Sequence, residues 1–67
     1  MNQVILLPKT RLQIAIEYGM TPRFLTTKIK RFHLDIPSGD ILPKHQKLIY
    51  ETFGYPSSVK RAWYADV

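Results

Sequence analysis

The sequence predicts an all-α fold, a small bundle of about four short helices, and three observations carry that expectation. Helix-starting chemistry recurs, at Thr10 with Gln13 three residues on, at Thr21 followed by Pro22, and at Pro43. Glycines suited to a helix end, Gly19 and Gly54, follow the first and third of these starts. Between starts and stops the apolar residues fall at spacings of three and four, a helical period.

The first helix is expected over about 9–18, with Thr10 as N-cap, Gln13 completing a capping box, and Leu12, Ala15 and Ile16 on one face. The second is expected over about 21–32. Thr21 caps it and Pro22 takes the first helical position, where a missing N–H costs nothing. Leu25, Ile29 and Phe32 align on its packing stripe, and at 100° per residue the opposite side carries Arg23, Thr27, Lys30 and Arg31, flanked by Thr26 and Lys28.

Residues 34–42 break the pattern around Pro37-Ser38-Gly39-Asp40. They read as a loop in preference to a short wing-like hairpin, because Pro37 disfavours a regular strand. The run Val4 to Leu7 either adds a short strand or covers the core. A third helix is expected from Pro43 to Phe53, with Leu48, Ile49, Phe53 and in part Tyr50 facing inward. After Pro56, Ser57 or Ser58 caps a fourth short helix with Val59, Ala62 and Trp63 as its stripe. Leu7-Pro8-Lys9 and Leu42-Pro43-Lys44 echo each other at an offset of 35 residues, as do Gly19 and Gly54. Shared start and stop chemistry accounts for this better than duplication does.

A chain of 67 residues makes one domain, 1–67, that buries only about 60% of its unfolded surface. The expectation is one modest core and no room for a pocket of several hundred cubic ångströms. With no cysteine, disulfides and thiolate metal sites are excluded, and His33 and His45 lack the partners a zinc site needs, so no metal and no cofactor are expected. The apolar run at 4–7 is too short for a signal-peptide core or a membrane span, which makes the cytoplasm the expected location.

The formal net charge is +5, and its distribution matters more than its size. Residues 18–34 hold Arg23, Lys28, Lys30 and Arg31 and no acid, while the rest of the chain is nearly balanced. A basic patch so concentrated points to a polyanionic partner.

Residues 11–30, RLQIAIEYGMTPRFLTTKIK, resemble the helix-turn-helix of small bacterial and phage DNA-binding regulators. Ala15 stands at the small position of the first helix and Gly19 in the turn four residues later. Ile14, Tyr18, Met20 and Leu25 stand at apolar positions. Two helices crossing steeply over a short turn need a small side chain where they touch. Lys28 departs from the pattern at a position apolar in many members, with Ile29 beside it for packing.

The resemblance implies a helix-turn-helix core over about 9–33 whose second helix enters the major groove of double-stranded DNA. Carried over by position, Thr21, Pro22, Arg23, Thr26, Thr27 and Lys30 face the DNA. The planar fork of Arg23 suits guanine O6 and N7. Lys28, Lys30 and Arg31 suit phosphates, which position without reading sequence. The helical hairpin over about 43–64 is assigned to packing or dimerisation, since Tyr50 replaces Ala15 at the equivalent contact position.

The implied function is sequence-specific DNA binding, as a small transcription regulator or alternatively as an excisionase-like recombination accessory factor. Homodimers or cooperative assembly on DNA are expected to raise affinity, with no membrane and no small-molecule ligand involved. The rival outside DNA binding is a helical protein-interaction module using Tyr55, Trp63 and Tyr64, although such aromatics more often complete a small core. Asp35, Asp40 and Glu51 are scattered, and Ser57 and Ser58 stand without a nearby base in the sequence, so no enzyme is expected.

Overall fold

The computed structural model describes residues 5–67, so the expectation for Val4 lies outside the described residues. In chain order the elements are α1 (Arg11–Tyr18), α2 (Pro22–Arg31), α3 (Pro43–Phe53) and a 3₁₀ turn (Arg61–Tyr64). There is no strand among the described residues; a lone antiparallel bridge joins Lys9 to Ile41.

Local chemistry sets the helix ends. Thr10 accepts the Gln13 N–H while the Gln13 side chain accepts the Thr10 N–H, so the capping box is complete. Gly19 adopts the left-handed conformation at φ 70°. There its N–H donates to the Ile16 carbonyl at 3.0 Å and Met20 N–H donates to the Ala15 carbonyl at 2.9 Å, closing the last turn of α1. Thr21 caps α2 by accepting the Phe24 N–H at 3.1 Å, ahead of Pro22 in the first turn. The end of α2 repeats the α1 ending with His33 in place of glycine, at φ 57°. His33 N–H donates to the Lys30 carbonyl and Leu34 N–H to the Ile29 carbonyl, both at 3.0 Å.

One core joins all the elements. Ile14 and Ala15 of α1, Leu25 and Ile29 of α2, Ile41 of the loop before α3, Ile49 and Tyr50 of α3, and Val59 and Tyr64 near the C-terminus are its buried apolar members. α1 and α2 pack directly on each other, and Ala15 is fully buried.

The apolar face expected for α1 is corrected. Leu12 and Ile16 are 54% and 66% exposed. Turning Ile14 and Ala15 inward swings those two more than about 100° away from the core, since each residue advances the helix by that angle. In α3, Leu48 points largely outward and Gln46 is buried in its place alongside Ile49 and Tyr50. Phe32 stays half-exposed, its ring meeting Phe53 edge-on at 5.1 Å.

The fourth helix is not α-helical. The Val59 N–H bonds the Pro56 carbonyl at 3.0 Å, a tight turn that delays the coil to Arg61–Tyr64, preceded by Lys60 rather than by Ser57 or Ser58. Tyr64 is buried there and Ala62 exposed. Residues 34–42 form a loop without a hairpin, and the Arg11 guanidinium donates to the Pro37 carbonyl at 3.2 Å. Residues 5–7 form no strand, but Leu6 packs against the core. The sequence echo has no structural counterpart. Pro43 opens α3 whereas Pro8 precedes the cap of α1, and Gly54 at φ 96°, ψ 147° ends its helix differently from Gly19.

Candidate nucleic-acid interface

α2 presents one face to the core and the other to solvent, and the basic side chains follow that division. Leu25 and Ile29 are buried; Thr21, Arg23, Thr27, Lys30 and Arg31 are exposed; Pro22, Thr26 and Lys28 are half-buried at the margins. The eight residues singled out from the sequence thus lie together on the outward side and margins of a helix of ten residues and its cap.

Their charges have no ion-pair partner among the described residues. Among the described residues the ion pairs are Lys9 with Glu17 and Arg61 with Glu51. Among the described residues Arg23, Lys28, Lys30 and Arg31 have no carboxylate within 4.0 Å. Part of this charge also serves the helix, because Lys28, Lys30 and Arg31 occupy its last turn, where cations complement the carbonyl end of the dipole. Arg23, in the first turn, sits at the positive end of that dipole, where a cation gains nothing from the helix.

The donors at the N-terminal end are unequally available. Thr21 Oγ1 is engaged by the Phe24 N–H, and the Thr27 hydroxyl donates to the Arg23 carbonyl at 3.0 Å, so both threonine oxygens have local partners. The backbone N–H groups of Thr21 and Arg23 form no hydrogen bond among the described residues. Two free donors at the positive end of a helix favour an anion.

Aromatic rings border this face. Lys28 Nζ stands 4.9 Å from the centre of the Phe53 ring and 5.9 Å from that of Phe24. Lys28 therefore lies over aromatic rings instead of in the core. Phe24 falls between the packing stripe and the basic face, and neither face assigned from sequence includes it.

A polar network supports α1 and α3. Lys9 Nζ donates to Glu17 Oε2 at 2.6 Å and to the Tyr50 hydroxyl at 3.0 Å. The Tyr64 hydroxyl donates to Gln46 Oε1 at 2.6 Å, and Gln46 Nε2 donates to the carbonyls of Leu7 and Ile41 at 2.8 and 2.7 Å. These bonds span up to 41 residues, a separation that local spacing does not encode. Burial, reinforced for Tyr50 by the bond to Glu17, holds the phenols of Tyr18, Tyr50 and Tyr64 above the ordinary tyrosine range. Tyr55 is pushed up to about 12 by desolvation and its bond to Glu51.

Tyr55 and Trp63 pack against the core, and Tyr64 belongs to it. The expectation that so small a chain leaves no sizeable concavity is corrected. Open grooves of about 600 and 420 Å³ flank Tyr64, one by Glu51 and Arg61, the other by Leu6 and Trp63. No helix among the described residues is long and apolar enough to cross a membrane. No protein-family model, curated protein or solved structure matches the chain.

Proposed function

We propose that the protein is a sequence-specific DNA-binding protein of the helix-turn-helix kind, acting as a small transcription regulator in the cytoplasm of a bacterium or of a phage-infected cell. The observation that carries this reading is the outward face of α2, where Arg23, Lys28, Lys30 and Arg31 lie with no carboxylate within 4.0 Å among the described residues. A three-residue turn, Gly19-Met20-Thr21, joins this helix to α1, and Ala15 supplies the small side chain that a close crossing requires.

In this reading α2 lies in the major groove. Arg23 reads a guanine edge, Thr26 and Thr27 meet base edges, and Lys28, Lys30 and Arg31 hold phosphates. The free N–H groups of Thr21 and Arg23 take a phosphate at the helix start. So few contacts favour a homodimer or neighbouring copies on the same DNA, and the exposed pair Leu12 and Ile16 on α1 offers apolar surface for that contact. An excisionase-like role in recombination would use the same face.

The deciding measurement is fluorescence anisotropy on random duplex DNA across a salt series. With Lys28, Lys30 and Arg31 on phosphates, the log–log slope is about −2.7, at −0.9 per phosphate neutralised. A folded protein that binds no duplex even at low salt overturns the proposal.

A further inference from the structure

Phe24 and Phe53 flank Lys28, and the chain's third phenylalanine, Phe32, packs on Phe53, whereas the aromatic rings buried in the core are tyrosines. Two of the three are spent on each other, Phe32 meeting Phe53 edge-on at 5.1 Å. Phe24 is 50% exposed in the first turn of α2, directly after Arg23. Lys28 Nζ, 5.9 Å from its ring centre, leaves half of the side chain in water.

From these positions, and resting on the DNA-binding reading above, we infer that Phe24 is a specificity-determining residue whose ligand is the 5-methyl group of thymine. A ring left half in water gains free energy from an apolar surface that covers it. On the floor of the major groove that surface is the thymine methyl, since the other base-edge groups there are hydrogen-bond donors and acceptors. The N-terminal residues of a helix in the groove lie nearest the base edges. Phe24 is on that turn, at the border of the face that carries Arg23 and Arg31. The protein thus combines an arginine suited to guanine with a phenylalanine suited to thymine on adjacent positions of one helix.

The test compares two duplexes of equal length, alternating dA–dT and alternating dA–dU, which differ by the thymine methyl alone. Wild type is expected to bind the dA–dT duplex about fourfold more tightly, the worth of one buried methyl. Phe24→Ala should bind the two duplexes equally, with the salt slope of wild type. Phe32→Ala, which removes an equally exposed ring from the far end of the helix, should keep the preference. If Phe24→Ala lacks helical circular dichroism, Phe24→Leu and Phe24→Gln make the comparison, leucine retaining the preference and glutamine losing it. Equal binding of both duplexes by wild type, or a preference that survives removal of the ring, overturns the assignment of Phe24 and leaves DNA binding intact. Failure to bind either duplex at low salt overturns the DNA reading and this inference with it.

Discussion

The Tyr50 hydroxyl donates to Glu17 Oε1 at 2.5 Å, and this bond joins α3 to α1 across 33 residues. Glu17 is held at its other oxygen by Lys9, so each of its oxygens has a partner in a part-buried setting. Tyr50→Phe preserves the ring and strands one carboxylate oxygen, which should cost about 1–3 kcal/mol of stability. Urea denaturation measures it directly. A change below about 0.5 kcal/mol, the size of an ordinary surface substitution, would show that water replaces the phenol freely.

The four tyrosines make stability sensitive to alkali. All have folded-state pKa values raised above the ordinary value of 10.0. The contribution is fully present below pH 10, because both folded and unfolded chains keep their phenolic protons there. Above pH 10 the unfolded chain loses protons that the folded chain retains, and stability falls. Tyr50, fully buried, should remove about 1.4 kcal/mol per pH unit in that window, and Tyr64 acts in the same direction. Absorbance at 295 nm should then rise in one cooperative step together with loss of helical circular dichroism. A gradual titration centred at pH 10 with the helices intact would contradict the burial of these phenols.

His33 is the one non-glycine residue with positive φ among the described residues. Its left-handed conformation costs an L-residue about 1 kcal/mol, which glycine avoids while giving back part of the gain through a freer unfolded chain. His33→Gly should therefore stabilise the fold by about 0.5–1 kcal/mol, visible as a higher melting temperature. A lower melting temperature would mean that the imidazole makes a compensating contact.

Ala15 tests the close approach of α1 and α2. It is fully buried among side chains that already fill the core, so Ala15→Leu should destabilise by about 1–3 kcal/mol through overpacking. The same change at Gln13, exposed on the first turn, serves as the control and should move stability by no more than the loss of its capping bond, about 1 kcal/mol. Equal and small effects at both positions would place the crossing elsewhere.

Substitution also separates the two faces of the protein. Arg23→Ala with Lys30→Ala removes two exposed cations and should weaken DNA binding, and the loss of the Lys30 phosphate contact should lower the magnitude of the salt slope by about 1. Trp63→Ala should leave the slope unchanged while lowering stability, because Trp63 packs against the core. Wild-type binding by the double variant would remove α2 from the interface.

The helix ends were legible because their chemistry is local. Thr10 with Gln13, Gly19, Thr21 with Pro22, and Pro43 act within four residues of themselves, and each marks a boundary where it was read. The rotation of α1 was not legible. In eight residues Leu12, Ile14, Ala15 and Ile16 offer more than one apolar face, and the choice is made by distant partners, Tyr50 bonding Glu17 and the Tyr18 hydroxyl reaching the Gly54 carbonyl. Gln46 illustrates the same point. A glutamine in an amphipathic helix reads as surface, and only the carbonyls of Leu7 and Ile41 and the Tyr64 hydroxyl make its burial stable. The basic face of α2 was legible as a pattern of charge, whereas Phe24 fell between the two stripes and gave no periodic signal.

The clasp at Gln46 and Tyr50 bears on how fast the chain folds. Small helical proteins ordinarily reach their native state on neighbouring contacts within microseconds to milliseconds. Here the bonds that seal the interior, Lys9 and Glu17 to Tyr50, Tyr18 to Gly54 and Gln46 to Leu7, join positions 33 to 41 residues apart. Each requires a large loop to close before any stabilisation is returned, and that entropy falls due in the transition state. The helices can flicker into being early under their own caps, but the meeting of the chain's two halves is then expected to limit the rate, and folding should be slow for a protein of this size and secondary structure.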